Sequence, residues 1–222
     1  DPLRSYSAYA PGESKLFQSL NRGKKSVVVD VEADQGREVI RKLAARADVV
    51  LTSLTRPTLE RIRADYESVR ESNSEVVYVE LSAFGTKGSW ADRAGNDLVM
   101  QAYTGLMASE NKRLADLAPA AIRSTQTPAR TAAIIAALGV STGLFHRERT
   151  GKGQHIETSQ LVTALAVQAG RTSTNPPADE RNRTPGIERL RNAREAHEGF
   201  DAIQAARGSM RQVVGNIFYR AF

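Results

Sequence analysis

The segment RSTQTPARTAAIIAALGVSTGLFHRERTGKGQHIETSQL, residues 123–161, has a polar start, a long apolar middle, a basic turn and a strand-like end. Its apolar run, residues 132–145, is the longest in the chain and has the length of a buried core helix, too short for a transmembrane span. Gly151 is expected to end this helix, and Arg147 and Arg149 suit its C-terminus because cations are favourable there. Residues 154–158 are predicted to form a strand.

Three further strands are predicted upstream, each a short run rich in β-branched residues: KSVVVDV (25–31), DVVL (48–51) and VVYVEL (76–81). Helices are predicted between them, over residues 34–46, 58–72 with a break near Asp65, 97–107 and 161–169, with a glycine-containing loop over 85–95. Strands that alternate with helices at this spacing predict an α/β fold with a doubly wound, parallel, Rossmann-like sheet.

The first of these helices has a predicted start and a predicted apolar face. Asp34 can cap its N-terminus, because a carboxylate accepts hydrogen bonds from the free N–H groups of the first turn. Val39, Ile40 and Leu43 fall on one face of this helix at helical spacing.

The composition changes after Gly170, which predicts a domain boundary. Residues 171–186 are polar and contain prolines, as linkers do, and residues 187–210 are weakly amphipathic and helix-prone. We therefore expect a large domain over 1–170, and a linker with the start of a second, smaller domain over 171–222. The terminal sequences DPLRSY and GNIFYRAF lead us to expect that the chain is a piece of a longer protein whose first strand is missing here.

The chain is basic, with a net charge of +6 over 222 residues. This charge favours a phosphate-bearing partner, either a nucleic acid, a nucleotide or a phosphorylated cofactor. The stretch NRGKKS, residues 21–26, places Arg22, Lys24 and Lys25 around Gly23, where they could hold phosphates, although a solvated loop has the same composition.

Metal and disulfide chemistry are not expected. The chain has no cysteine, and its three histidines, His146, His155 and His197, are scattered without the spacing of metal ligands. A cytoplasmic location, away from the membrane, is the default expectation for such a chain.

The start of the long helix raises a chemical question. A helix N-terminus favours negative charge, so it is a good place for a carboxylate nucleophile. Residues 118–145 contain no Asp, Glu, His or Cys, however, and the hydroxyl groups near the helix start have no base beside them in the sequence. These hydroxyl residues are Ser124, Thr125, Thr127 and Thr131.

Three segments in order, residues 21–54, 78–109 (YVELSAFGTKGSWADRAGNDLVMQAYTGLMAS) and 138–161, resemble the family III CoA-transferases. That family includes formyl-CoA transferase, the carnitine and bile-acid CoA-transferases and α-methylacyl-CoA racemase. The resemblance implies a Rossmann-like large domain, a smaller domain and a dimer of interlocked ring-shaped subunits. It also implies an enzyme without a metal that moves coenzyme A, bound as an acyl-CoA substrate, between carboxylic acids.

The resemblance also assigns CoA-binding positions. Lys24 and Lys25 lie where the family has basic residues near the CoA phosphates, and Arg61 matches an arginine that contacts CoA. Ser53 and Leu54 occupy the family's usual Asn-Phe pair and differ from it. The full set of predicted CoA-binding residues is Arg22, Lys24, Lys25, Ser53, Leu54 and Arg61.

The catalytic aspartate that the resemblance implies, which forms an aspartyl-CoA thioester, is not found. Its position falls at Ala129, or at Pro128 with a slip of one residue, and a gap would be needed to bring Asp116 into place. Two interpretations follow: an active CoA-transferase, or a non-catalytic subunit that forms a heteromer with an Asp-bearing homologue instead of a homodimer. The alternative from another class is a basic Rossmann-like module for nucleotide or, less favoured, nucleic-acid binding.

Overall fold

The structure is a computed structural model that describes residues 4, 8–10, 13–109, 120–122, 125–199, 202, 203 and 205. Its strands are β1 Ala8–Ala10, β2 Glu13–Ser14, β3 Val49–Thr52, β4 Val77–Ser82 and β5 Gln154–Ser159. Its helices are α1 Lys15–Asn21, α2 Asp34–Ala44, α3 Arg56–Arg61, α4 Tyr66–Ser72, α5 Asp97–Tyr103, α6 Leu106–Ser109, α7 Thr127–Thr150, α8 Gln160–Ala166, α9 Ala169–Thr172, α10 Pro176–Ala178 and α11 Thr184–Glu195.

The central sheet is parallel and has the strand order β3-β4-β5. Val49 pairs with Val77 and Tyr78 pairs with His155, so the carboxyl ends of the three strands lie at one edge. Helices α3 and α4 connect β3 to β4, and α5 to α7 connect β4 to β5. The predicted α/β class with a parallel sheet is therefore confirmed.

Successive side chains of a strand point to opposite faces of the sheet, so β4 presents apolar side chains on both faces. Helices cover both of these faces. On one face, Tyr78 packs with Ala44 of α2 and Val69 of α4, and its hydroxyl donates to the Ala64 carbonyl at 2.6 Å. On the other face, Val77 and Val79 pack against α7. These β4 side chains are fully buried, so β4 is the centre of the core.

Helix α7 begins with Pro128 in its first turn and ends at Gly151, whose left-handed backbone (φ 68°) closes a 2.7 Å bond to the Arg147 carbonyl. Gly143 lies so close to β4 that a Cβ there would be 2.7 Å from the Val77 side chain. By length and composition α7 could also cross a membrane, a property that core helices share. In this structure its buried face packs on the sheet.

The predicted strand over residues 25–31 is wrong. Residues 24–30 form no regular element, and Val28 is 97% exposed. A strand needs a neighbour for its backbone hydrogen bonds, and none of the described strands lies beside this segment. The segment instead runs against α2, where a Cβ on Gly36 would meet the Asp30 carbonyl at 1.7 Å.

Helix α2 is present, but its predicted cap is wrong, and two of the three residues on its apolar face are exposed. Ala33 is the N-cap, and Asp34 lies one residue inside the helix. Val39 and Leu43 are exposed, whereas Gly36 and Ala44 are buried. The helix thus packs through its small residues, because close contact with the 24–30 segment admits no side chain at Gly36.

The predicted break near Asp65 is confirmed. Asp65 caps α4, since its carboxylate accepts from the Ser68 N–H at 3.0 Å and from the Ser68 hydroxyl at 2.7 Å. Burial raises the pKa of Asp65, but these hydrogen bonds outweigh it and hold the pKa below its usual value.

The predicted linker over residues 171–186 contains more helix than expected. It includes α10, a π-helical turn over Asp179–Arg183 and the start of α11. Prolines at the first turns of α10 and α11 explain this, because proline suits the first turn of a helix as well as a linker. The domain boundary near residue 170 stays a prediction.

Candidate functional site

A cavity of about 170 Å³ lies at the carboxyl edge of the sheet, where β3 and β4 end and α8 begins. Open α/β sheets bind their ligands in the crevice outside the carboxyl ends of the strands, which makes this cavity the candidate site. Its lining residues are Ser53, Leu54, Thr55, Arg56, Glu80, Leu81, Ser82, Ala83, Gly85, Thr86, Ala91, Arg93, Ala94, Gly95 and Gln160.

The loop after β4 forms one wall of the cavity. Gly85 has φ 102°, a conformation that suits glycine, and its N–H donates to the Ser82 hydroxyl at 2.9 Å. Farther along, a Cβ on Gly95 would be 2.8 Å from the Ala83 side chain. Glycine at these two positions therefore lets the loop turn sharply and then return close to its own start.

An aromatic cluster of Phe84, Trp90 and Tyr103 holds this loop. The Trp90 ring meets Tyr103 edge-on at 5.1 Å and Phe84 edge-on at 5.5 Å, a favourable arrangement for aromatic pairs. The Arg93 guanidinium lies over the Trp90 ring, 5.4 Å from its centre. Trp90 therefore anchors the loop and supports an arginine that lines the cavity.

Arg56 and Arg93 make the cavity attractive to anions. Arg56 is the first residue of α3, and its only described ion pair is a 4.0 Å approach to Glu60. A guanidinium group carries five N–H donors, so each arginine keeps donors for a ligand. Planar guanidinium groups bind phosphates and carboxylates through paired hydrogen bonds.

No sequence motif singles out either arginine. Both lie in segments that follow parallel strands: Arg56 begins the helix after β3, and Arg93 lies in the loop between β4 and α5. The rule that such loops line the ligand crevice could have identified them.

Two of the six predicted CoA-binding residues, Ser53 and Leu54, line this cavity. The four predicted cations lie elsewhere among the described residues. Arg22 follows α1, the Lys24 ammonium donates to the Asn21 side chain at 3.0 Å, Lys25 is exposed, and Arg61 pairs with the Glu32 carboxylate. Their proposed contacts with CoA stay predictions.

The start of α7 receives a carboxylate from another helix. Asp97 of α5 accepts a hydrogen bond from the Ala129 N–H at 2.9 Å through Oδ1 and one from the Gln101 side chain at 2.6 Å through Oδ2. Gln101 is buried and also bonds both backbone groups of Ile122. The negative charge of the Asp97 carboxylate is stabilised at the positive end of the α7 dipole. Asp97 therefore caps α7 although it lies 32 residues before Ala129 in the sequence.

This geometry partly answers the question posed by the acid-free segment. An acid does lie at the helix start, but both of its oxygens already accept hydrogen bonds. Ala129 itself has no reactive group, and Pro128 is buried. The Thr127 hydroxyl bonds Thr125 at 2.8 Å and has no described base beside it. Asp116 and Ser124 lie outside the described residues.

A group of three ionisable side chains forms on the sheet face that α4 covers. The His155 ring lies 3.2 Å from the buried Glu80 carboxylate and 3.9 Å from Glu157, and it stacks on Tyr66 at 4.6 Å. The three ligand atoms lie within 4.8 Å of one another, close enough to share a metal ion. No motif along the chain reveals this group, because parallel pairing of β4 with β5 joins residues 75 positions apart.

Comparisons with known proteins agree on one family. The model of CoA-transferase family III matches residues 1–215. The chain is 29% identical over 205 residues to the succinate–glutarate CoA-transferase of Agrobacterium fabrum, covering 90% of this chain and 48% of that protein. It is 32% identical over 151 residues to the human α-methylacyl-CoA racemase, covering 68% of this chain and 39% of that protein.

Solved structures give the same result. An orthorhombic crystal form of Rv3272 from Mycobacterium tuberculosis has a TM-score of 0.68 and 29% identity, over 77% of this chain and 48% of that one. A CAIB/BAIF family protein from Brucella suis has a TM-score of 0.67 and 30% identity, over 77% of this chain and 46% of that one. The chain spans about half the length of the curated relatives that it matches.

Proposed function

The chain belongs to CoA-transferase family III, and from this premise we propose that it binds a CoA thioester in the cavity at the carboxyl edge of the sheet and takes part in moving CoA between carboxylic acids. The observation that carries the proposal is the pair of arginines, Arg56 and Arg93, that line one cavity at the ends of neighbouring parallel strands. Two guanidinium groups, one from the start of α3 and one from the loop after β4, suit the pyrophosphate of CoA, which offers several anionic oxygens.

The remaining cations extend the proposed binding surface. Arg61 lies at the end of α3, the helix that begins with Arg56, and its partner Glu32 belongs to the segment that follows Lys24 and Lys25. CoA carries a 3′-phosphate in addition to its pyrophosphate, so we assign that phosphate to Lys24, Lys25 and Arg61. Because Arg61 is half exposed and paired with an exposed glutamate, a phosphate can compete for it at little cost.

For catalysis, we propose that this chain is the CoA-binding, non-catalytic subunit of a heteromer whose Asp-bearing homologue supplies the nucleophile. Ala129 offers no carboxylate, and Asp97 is held by two hydrogen bonds that also cap α7 and fix Gln101. A carboxylate that carries an acyl group must present a free oxygen to the thioester carbonyl. Asp97 would have to give up its structural contacts to do so.

Calorimetric titration with CoA tests the binding proposal. Arg56→Ala and Arg93→Ala should each weaken binding by about 10- to 100-fold, the equivalent of a charge-assisted hydrogen bond of roughly 1.5–3 kcal/mol. Arg46→Ala is the matched control, because Arg46 is exposed between α2 and β3, at the opposite edge of the sheet. Unchanged affinity in both cavity variants contradicts the assignment. Tight binding of nucleic acid with a steep salt dependence would favour the alternative module.

A further inference from the structure

The wall of the cavity contains one buried polar side-chain atom that has no hydrogen-bond partner among the described residues. Gln160 lines the cavity, and its side-chain oxygen is buried without a hydrogen-bond partner among the described residues. Buried polar atoms are nearly always paired, so an exception in a ligand crevice points to a group that arrives with the ligand.

The backbone around Gln160 is fixed by other residues, which leaves its side chain free for this role. The Ser159 hydroxyl caps α8 by accepting from the Val162 N–H at 3.2 Å, and the Thr163 hydroxyl donates to the Gln160 carbonyl at 3.1 Å. The Leu161 N–H donates to the Ala83 carbonyl at 3.0 Å, which ties α8 to the loop after β4. The Gln160 amide is therefore held at the cavity wall without being needed to cap the helix.

We infer that Gln160 binds an amide of the pantetheine arm of the CoA thioester, an inference that rests on the proposed function. An ionised phosphate oxygen only accepts hydrogen bonds, so it cannot satisfy the buried Gln160 oxygen, and the phosphates belong with Arg56 and Arg93. The pantetheine arm has two secondary amides, each with an N–H donor and a carbonyl acceptor. A secondary amide can satisfy a glutamine side chain whichever way that side chain is turned.

This assignment gives the cavity a direction. The arginines on the loops after β3 and β4 hold the phosphates, and Gln160, at the end of β5, holds the arm that leads to the thioester. The adenine amino group is the other N–H donor of CoA. It lies on the far side of the phosphates from the thioester, so the two sources of an N–H group are separable by ligand fragments.

The test compares three ligands on the protein and on Gln160→Met, which keeps the side-chain length and removes both hydrogen-bonding groups. CoA should bind about three- to tenfold more weakly to the variant, the loss of one ordinary hydrogen bond. The fragment 3′,5′-ADP, which contains adenine but no pantetheine, should bind both proteins equally, whereas pantetheine should lose affinity with CoA. The control is Gln35→Met, at an exposed position of α2.

The outcomes separate this inference from the proposed function. If the unaltered protein does not bind CoA, the proposed function fails. If CoA binds and Arg56→Ala weakens it while Gln160→Met does not, only the Gln160 inference fails. Equal weakening of 3′,5′-ADP would place adenine at Gln160 and overturn the amide assignment. Gln160→Met should not lower the thermal midpoint of the unliganded protein, because no protein partner of the oxygen is lost; a clear drop would show a structural role and contradict the inference.

Discussion

Replacing Asp97 by alanine should destabilise the protein well beyond the effect of an ordinary surface substitution. The change removes the acceptor of the Ala129 N–H at the start of α7 and the acceptor of the buried Gln101 side chain. Gln101 also bonds both backbone groups of Ile122, so the loss reaches the segment that leads towards α7. No other described acceptor serves the Ala129 N–H.

The magnitude follows from these contacts. Loss of a helix cap costs about 0.5–2 kcal/mol, and loss of a hydrogen bond to a charged acceptor costs about 1.5–3 kcal/mol. The two contacts share one carboxylate and are not independent, so we expect a total near 2–4 kcal/mol. Asp97→Asn should cost about half as much, because one amide oxygen can still cap α7 while the amide N–H group opposes the Gln101 donor.

Urea unfolding followed by circular dichroism, at fixed protein concentration, measures these differences. Asp92→Ala is the matched control, since Asp92 is an exposed aspartate of the loop that precedes α5, and it should change stability by less than about 0.5 kcal/mol. A loss below about 0.5 kcal/mol for Asp97→Ala, or equal losses for the Ala and Asn variants, would refute the assignment of Asp97 as a cap with two partners.

Three further predictions follow from other parts of the structure. The protein should form no covalent CoA adduct with acyl-CoA donors, whereas Ala129→Asp should form one, as read by intact-protein mass spectrometry; an adduct on Asp97 in the unaltered protein would show that its carboxylate is a nucleophile. His155→Ala should lower the free energy of unfolding by about 1.5–3 kcal/mol because it leaves the buried Glu80 carboxylate without its described hydrogen-bond partner, and no change in urea unfolding would mean that this contact does not stabilise the fold. Burial raises the pKa of Tyr78 above its ordinary value of about 10. The native state therefore holds the phenol proton more tightly than the unfolded state, so the contribution of Tyr78 to the free energy of unfolding is full below about pH 10 and falls above it. Tyr78→Phe should flatten this fall in unfolding experiments between about pH 9 and 11.

The parallel sheet was predictable because its information is local. Strands β3 and β4 are short apolar runs rich in β-branched residues, and the helices between the strands have clear boundary residues such as Asp65 and Gly151. The segment over 25–31 has the same local character and forms no strand. Strand formation also depends on a pairing partner, which the composition of the segment itself does not specify.

Packing faces were harder to predict than elements. Helix α2 has an apolar stripe at helical spacing, yet its buried residues are Gly36 and Ala44. The hydrophobic pattern identifies which residues gain most from burial, but the distance between neighbouring segments decides which can be accommodated. At Gly36 the Asp30 carbonyl is so near that a side chain cannot fit, and this contact is a product of the folded chain.

The candidate site was predictable in its location but not in its charged groups. The resemblance to known proteins identified Ser53 and Leu54. These residues line the cavity because they directly follow the end of β3. Arg56 and Arg93 belong to different loops, and only the side-by-side pairing of β3 with β4 brings those loops to one cavity. The Glu80–His155 pair depends on strand register in the same way.

The acid at the start of α7 shows why a search along the chain is insufficient. A helix N-terminus attracts a carboxylate through its free N–H groups and its dipole, and neither effect requires the carboxylate to belong to the same helix. Asp97 meets this need from α5, so the helix start is already capped although residues 118–145 contain no acid. The two roles of an acid at this place, capping the helix and attacking a thioester, are thereby separable. Under the proposed function, this chain keeps the first role in Asp97, and the alanine at position 129 leaves the second role to the Asp-bearing partner.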